Sequence, residues 1–307
     1  MPWLFLAIGS YGAFALASVG DKILLTERRT KPAAYAFLVG VSGSVLFLVA
    51  LALGWPIPSL AVLISSIMSG ILFTAALIPY YAGIKRFEVS RIVPAAGGLT
   101  PIFLFGFLYV MVPQLTRLSL FEIIAFVLLI IGTVVISQDP RKLFSFGGLR
   151  YAVFASFLMA ASVALLRYAF TMGPFWDGIL WRQVGGAAFA VCLFLAVRDV
   201  RQSVLDLHPR KQQQTLHTPL FILFLLFQAV GGAGILLQNG ALFLAPPRFS
   251  PFVYALQGVQ YIFLFLFALL LAVRFPRLLH EHVSRASLIP KLFAIFFILI
   301  GTMLVVV

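Results

Sequence analysis

The sequence predicts an all-α polytopic membrane protein in which ten transmembrane helices form two inverted repeats of five. Three observations lead to this prediction: the composition, ten apolar segments of membrane-spanning length, and landmarks that recur between the first five segments and the last five. Of the 307 residues, 62% are hydrophobic and 10% are charged, and the mean hydropathy is +1.09. A soluble domain carries roughly 25% charged residues. The composition therefore excludes a soluble fold.

The apolar segments define the predicted elements. A helix rises about 1.5 Å per residue, so about 20 residues cross a hydrocarbon core of about 30 Å. Each segment meets or nearly meets this length. Spans 1 to 5 are predicted at residues 3–25, 33–54, 60–84, 92–113 and 119–137, and spans 6 to 10 at 148–170, 176–197, 218–244, 249–273 and 289–307.

Matched landmarks predict that residues 1–140 and 141–307 are repeats. The matched residues are separated by 144, 157 and 169 positions. This separation increases along the chain because the connections between spans are longer in the second set. Five spans cross the membrane an odd number of times, so the second repeat begins on the opposite side and is inverted in the membrane. Such repeats are a recurrent basis of secondary transporters, since two equivalent halves can open a site to each side in turn. The landmarks are Ala17-Ser18-Val19 with Ala161-Ser162-Val163 in spans 1 and 6, Pro94 with Pro251 at the start of spans 4 and 9, and Ile131-Gly132-Thr133 with Ile300-Gly301-Thr302 at the end of spans 5 and 10.

The positive charge predicts topology and not a nucleic-acid partner. The formal net charge is +13, and 18 of the 22 Lys and Arg residues lie in or beside the connections after spans 1, 3, 5, 7 and 9. Arg117, Arg167, Arg182 and Arg248 remain for the other side. Basic residues concentrate on the cytoplasmic side of membrane proteins. We therefore expect a plasma (inner) membrane protein with both termini outside.

Metal, cofactor and catalytic motifs are missing from the sequence. Cys192 is the only cysteine, so no disulfide forms within the chain. His280-Glu281-His282 suggests a metal site at first sight, but alternate residues do not share a helix face, and no third ligand is nearby. Phosphate-binding loops and nucleophile elbows are also missing. We expect no cofactor, no metal and no enzyme active site.

Ionisable residues inside spans are costly in a bilayer and therefore mark candidate functional positions. Asp21 and Lys22 in span 1 and Arg167 in span 6 are predicted to flank opposite mouths of a cavity, although basic side chains near helix ends also reach the headgroups. Arg182 lies about 10 Å below the membrane surface by helical rise. With Gln183 beside it, Arg182 is predicted to face the cavity and bind an anionic or carbonyl group.

Polar amides are concentrated in spans 8 and 9. Gln238, Asn239 and Gln257 are predicted to line a midplane substrate site with Arg182 and Gln183, and Tyr81 in span 3 lies at the matching depth. Structural hydrogen bonding between helices also explains such amides. None of the nine acidic residues lies near the middle of a span, which disfavours a proton-coupled exporter of organic cations. The amides are Gln228, Gln238 and Asn239 in span 8 and Gln257 and Gln260 in span 9.

Small residues in spans 3, 7 and 8 predict close helix contacts, either as static packing or as sliding surfaces. They are Ser66 and Gly70 in span 3, residues 185–188 in span 7, and Gly231, Gly232 and Gly234 in span 8.

Several motifs are similar to those of one family. They are Asp21-Lys22-Ile23-Leu24-Leu25 followed by Pro32, Glu88-Val89-Ser90-Arg91-Ile92-Val93-Pro94 followed by Pro101, and the two Ile-Gly-Thr closings. On these residues the chain resembles the EamA-like branch of the drug/metabolite transporter superfamily over essentially its full length. The resemblance implies a 5+5 bundle around a central cavity that moves small metabolites. Thr116 and Arg117 stand where the family often has an acidic residue, and many ten-helix relatives have cytoplasmic termini.

The leading expectation is a transporter of a small polar or amphipathic metabolite, such as an amino acid, a sugar or a related compound, working by alternating access. It would act in the lipid bilayer as a monomer or homodimer. The 32 phenylalanines suggest an alternative, a broad-specificity exporter of hydrophobic compounds. Arg182 and the basic cytoplasmic face suggest another, an intramembrane enzyme or flippase for lipid-linked substrates.

Overall fold

A computed structural model describes most of the chain, and every regular element in the described part is a helix. The all-α class is therefore confirmed for these residues. Most of predicted span 2 and the triplet His280-Glu281-His282 lie outside them. The described residues are 1–25, 37, 39–41, 43–46, 50, 54–55, 57–87, 89–112, 118–137, 146–205, 218–274 and 285–306.

In the part of the chain that the structure describes, one α-helix corresponds to each of predicted spans 1, 3 to 8 and 10, and two correspond to span 9. Short 3-10 helices occur at Gly43–Leu46 and Pro247–Phe249. The α-helices are α1 Pro2–Leu25, α2 Leu60–Arg86, α3 Val89–Met111, α4 Leu120–Ser137, α5 Phe146–Met172, α6 Phe175–Ala196, α7 Arg198–Leu205, α8 Thr218–Leu244, α9 Ser250–Ala255, α10 Gly258–Arg274 and α11 Arg285–Val306.

Several of these helices have the length and apolarity of membrane spans. Within the described residues, three meet both criteria: Leu60–Arg86, Leu149–Met172 and Phe175–Ala196. Their neighbours include shorter apolar stretches, at Pro2–Ser18, Ala95–Met111, Leu120–Val135, Ala229–Leu244 and Leu292–Val305. Large apolar side chains such as Phe5, Val110 and Leu195 are exposed. A soluble monomer rarely exposes so much apolar surface, whereas a membrane protein presents it to lipid.

The helices fall into two compact units that both draw on the two halves of the sequence. Unit 1 comprises Met1–Arg28, Gln114–Phe144 and Thr215–Val307, and within it α1 packs against α8 and α10 while α4 packs against α11. Unit 2 comprises Arg29–Pro113 and Ser145–Gln214, and within it α5 packs against α2 and α3 while α2 also packs against α6. The compact units thus differ from the predicted repeats 1–140 and 141–307. A repeat is defined by helices that are structurally equivalent, whereas a compact unit is defined by helices that pack together.

Helix α4 begins at a capping box. The Ser119 backbone N–H donates to Glu122 Oε2 at 2.6 Å, and the Glu122 N–H donates to Ser119 Oγ at 3.3 Å. Each side chain thereby satisfies a backbone donor that the first turn of a helix leaves without a partner. Arg248 Nε lies 3.5 Å from Glu122 Oε1. This ion pair links the start of α4 to the 3-10 turn before α9.

Glycines allow α2 and α6 to approach backbone to backbone in unit 2. A Cβ atom on Gly70 would overlap the carbonyl oxygen of Arg182, and one on Gly185 would overlap the carbonyl oxygen of Ile67. Such contacts are typical of membrane helix pairs, where small residues permit close packing. The backbone of α6 at Arg182 is therefore held directly against α2.

The structure interrupts the segment that the sequence predicts as one continuous helix over 249–273. Gln257 N–H bonds the Tyr254 carbonyl at 3.1 Å and Val259 N–H bonds the Leu256 carbonyl at 2.9 Å, both with 3-10 spacing. Gly258 follows, and a Cβ there would lie 2.6 Å from Thr133 Oγ1 and 2.6 Å from Ile298 Cδ1. The break between α9 and α10 is therefore held against α4 and α11.

Candidate functional sites

The interruption between α9 and α10 forms a polar site inside unit 1. In an uninterrupted helix, the Val253 carbonyl would accept a hydrogen bond from Gln257 N–H. Here the Tyr11 hydroxyl donates to the Val253 carbonyl at 2.8 Å, and Gln238 Nε2 donates to the Tyr11 hydroxyl at 3.1 Å. Tyr11 is buried. Helices α1 and α8 thus meet the interrupted segment through one continuous hydrogen-bond chain.

A second carbonyl at the interruption is also met by a side chain. Val259 N–H bonds Leu256, so the Ala255 carbonyl loses its usual partner. The Thr133 hydroxyl of α4 donates to the Ala255 carbonyl at 3.3 Å. Because a buried carbonyl without a partner is costly, Tyr11 and Thr133 stabilise the break.

The amide residues predicted in spans 8 and 9 have different environments. Gln238 joins the Tyr11 chain, and Gln257 lies in the interruption itself. Asn239 is buried, and its amide donates to the Ile235 carbonyl of its own helix at 2.9 Å. Gln260 Nε2 donates to Ser18 Oγ at 3.3 Å, which links α10 to α1 seven residues after Tyr11. The structure thus brings Gln238 and Gln257 to one region and gives Asn239 a local partner.

A second candidate site surrounds Arg182 in unit 2. Arg182 is 8% exposed, and its guanidinium carbon lies 4.5 Å from the centroid of the Phe73 ring. This is the geometry of a cation–π interaction, which is stronger where water is excluded. Gln183 lies against the 3-10 helix, since a Cβ on Gly43 would overlap its side-chain amide. Arg182 is thus a buried cation with a fixed position between α6 and α2.

The remaining predicted residues are less closely tied to this site. Tyr81 packs edge-on against Tyr80, with ring centroids 5.4 Å apart, eight residues beyond Phe73 on α2. Arg167, predicted at a cavity mouth, is 7% exposed and so is covered by protein in this structure. Asp21 and Lys22 belong to α1, and their side chains lie outside the described residues.

Sequence reasoning did not select Tyr11, Thr133 or Phe73 for the candidate sites. Tyr11 is a hydroxyl-bearing residue well inside span 1, and its position there was the available signal. Thr133 belongs to the Ile-Gly-Thr closing of span 5, which was used only as a repeat landmark. Nothing in the sequence distinguishes Phe73 from the other phenylalanines.

Comparisons with known proteins bear on the fold. No family model matches the chain, and no curated protein matches it. Among solved structures, 21 chains match. One of them, a crystal structure of a protein, is 18% identical, with a TM-score of 0.60 over 98% of this chain and 96% of that chain. The described part of the chain is thus all-helical with membrane-length apolar helices, and the fold has an experimentally solved counterpart.

Proposed function

We propose that this protein is a secondary transporter that moves a small polar or amphipathic metabolite by alternating access. The observation that carries the proposal is the interrupted helix α9–α10, with the Tyr11, Gln238 and Gln257 polar groups around it. Discontinuous transmembrane helices with polar groups at the break are a recurrent way to build substrate sites in transporters. An amino acid, a sugar or a related compound is the substrate class that suits hydroxyl and amide groups.

The depth of Tyr11 supports a site inside the bilayer. Tyr11 is nine residues from the start of α1, which corresponds to about 13 Å along the helix axis. The hydrocarbon core is about 30 Å thick, so its midplane is about 15 Å deep. If α1 enters the hydrocarbon core at its first residue, Tyr11 lies near the midplane, which supports a site that can open to either side.

Reciprocal helix packing supports the ten-span inverted repeat. The first helix of each predicted repeat packs against the third and fourth spans of the other: α1 against α8 and α10, and α5 against α2 and α3. If a two-fold axis relates the repeats, each contact from the first helix of one repeat has an equivalent contact from the first helix of the other.

Contacts between α4 and α11 are reciprocal residue by residue. A Cβ on Gly132 would approach Ile298 Cγ1 at 2.6 Å and the Ala294 carbonyl at 3.0 Å. One on Gly301 would approach Leu129 Cγ at 2.9 Å and the Ala125 carbonyl at 3.1 Å. In both directions the partners lie three and seven residues before the other glycine. Equal offsets are expected where the Ile-Gly-Thr closings of two repeats face each other. The corresponding residues are Ala125, Leu129 and Gly132 in α4 and Ala294, Ile298 and Gly301 in α11.

Membership of the EamA-like branch and a plasma-membrane location complete the proposal. The family resemblance rests on the motifs at residues 21–25 and 88–94 and on the Ile-Gly-Thr closings. The distribution of Lys and Arg supports cytoplasmic connections after the odd-numbered spans.

Arg182 is the polar anchor of the second candidate site, inside unit 2. A guanidinium group binds carboxylate or carbonyl oxygens through paired N–H donors. Arg182 is buried and held by Phe73, so it is positioned before a substrate arrives. We propose that it recognises an anionic or carbonyl group.

Ligand binding to the purified protein tests the proposal. A ligand that binds the folded state raises the midpoint of thermal unfolding. We expect at least one compound in a panel of amino acids, sugars and nucleosides to raise this midpoint. The same compound should then be taken up into proteoliposomes that contain the protein. We also expect Arg182→Gln to weaken binding by about 10- to 100-fold, the equivalent of about 1.5–3 kcal/mol for a hydrogen bond to a charged group.

Exposed residues on α7 supply the controls for this experiment. Arg198→Gln and Gln202→Leu make the same chemical changes as Arg182→Gln and Gln238→Leu at positions outside the candidate sites. Both controls should retain binding and uptake. A folded Arg182→Gln or Gln238→Leu variant with unchanged uptake would remove that residue from its candidate site. No response to any panel member would contradict the substrate class.

A further inference from the structure

Basic side chains gather around one tyrosine where α2 ends and α5 begins. Arg86 Nη1 donates to the Tyr151 hydroxyl at 2.5 Å. The guanidinium carbons of Arg86 and Arg150 lie 5.6 and 5.2 Å from the centroid of the Tyr151 ring. Both arginines and the adjacent Lys85 are exposed. We call Lys85, Arg86, Arg150 and Tyr151 the basic cluster.

An apolar groove begins at this basic cluster. Its volume is about 530 Å³, and it is lined by Phe103, Leu149, Arg150, Val153, Phe154 and Phe157. From Arg150 to Phe157 it follows α5 for about 10 Å. Phe103 and Phe107 of α3 pack against the Phe157 ring with centroid distances of 5.7 and 5.1 Å. Arg150 is therefore the charged member of a lining that is otherwise aliphatic and aromatic.

We propose that the basic cluster and the groove together bind one anionic phospholipid. The headgroup phosphate lies between Arg86 and Arg150, and an acyl chain follows Val153, Phe154 and Phe157 along α5. Charge complementarity selects the headgroup, since guanidinium groups pair strongly with phosphate oxygens and basic pockets between membrane helices bind anionic headgroups. A free phosphate would leave the groove unused, and a neutral lipid would leave the arginines uncompensated.

Tyr151 has a positioning role in this site. Its hydroxyl accepts the Arg86 hydrogen bond, and its ring lies near both guanidinium groups. Two long side chains that would otherwise sample many rotamers are thereby held at one end of the groove. Less side-chain entropy is then lost when the headgroup binds.

Thermal unfolding in mixed micelles tests the proposal independently of transport. The probes are dioleoylphosphatidylglycerol, dioleoylphosphatidylcholine at the same mole fraction, and glycerol phosphate in solution. We expect phosphatidylglycerol to raise the unfolding midpoint by several degrees more than phosphatidylcholine, and glycerol phosphate to have no comparable effect. The double variant Arg86→Gln/Arg150→Gln should lose this increment. The matched double variant Arg198→Gln/Arg201→Gln, with exposed arginines on α7, should keep it.

The groove has a test of its own. Phe154→Ser should reduce the phosphatidylglycerol increment, whereas Phe121→Ser, at an exposed phenylalanine on α4, should leave it unchanged. Equal shifts with the two lipids, or a full increment in Arg86→Gln/Arg150→Gln, would overturn the proposal. An equal shift with glycerol phosphate would replace the lipid with a simple anion and would also overturn it.

Discussion

At the scale of single residues, hydroxyl groups compensate backbone groups that regular structure leaves without partners. Tyr11 and Thr133 donate to carbonyls of Val253 and Ala255, which the break between α9 and α10 exposes inside the protein. Buried polar groups of this kind are costly unless they are paired. The interrupted helix therefore depends on side chains from α1 and α4 and not only on its own sequence.

Replacement of Tyr11 by phenylalanine should destabilise the protein. Tyr11→Phe removes the donor to the Val253 carbonyl and the acceptor for Gln238. Leaving a buried partner unsatisfied costs about 1–3 kcal/mol. We expect a lower unfolding midpoint in detergent. Tyr109→Phe makes the same change at an exposed tyrosine and should have little effect. Equal stability of the two variants would show that the Tyr11 hydroxyl does not stabilise the break.

At the scale of the helices, spacing of apolar residues predicts most boundaries but not the break after α9. Span 8 is predicted at 218–244, and α8 occupies the same residues. Length and hydropathy determine such a helix locally. At the break, Gly258 packs against Thr133 and Ile298, which are distant from it in the sequence. Gln257 and Gly258 stand at this position, but an amide or an isolated glycine also occurs within continuous helices, so neither predicts a break by itself.

The candidate sites show the same division between local and distant information. Arg182 and Gln238 could be selected from the sequence because charges and amides are costly in a bilayer. The position of Tyr11 inside span 1 is a weaker signal, and its role could not be predicted, since its partner is a backbone carbonyl 242 positions away. A partner of that kind leaves no trace in composition or spacing.

Glycine packing between α2 and α6 leads to a prediction at the helix scale. Gly70→Ala and Gly185→Ala place a methyl group on the backbone of the facing helix, so each should destabilise the protein by about 1–3 kcal/mol or more. Gly106→Ala is the control on α3, because no atom lies within 4 Å of its added Cβ. Helix propensity alone favours alanine there. Thermal unfolding of the three variants in one detergent checks the prediction, and a Gly70→Ala variant as stable as Gly106→Ala would contradict it.

At the scale of the whole molecule, the proposed topology fixes which connections face outward. Ile57 precedes α2 and is 90% exposed, and Gln202 is exposed on α7. In a Cys192→Ser background, we expect a membrane-impermeant maleimide to label Ile57→Cys in intact cells and Gln202→Cys only after permeabilisation. The reverse pattern would invert the topology. Labelling of both from outside would contradict the assignment of five spans between them.

The division into two units has a consequence for biosynthesis. All segments of unit 2 have been made once residue 214 leaves the ribosome, whereas unit 1 joins the first residues of the chain to the last. Structural units generally fold when their own segments are available, beginning with the earlier ones during translation. Helix α1 can therefore complete its packing only after α8 and α10 have been synthesised. The hydrogen bond from Tyr11 to Val253, across 242 residues, can form only when translation is nearly finished.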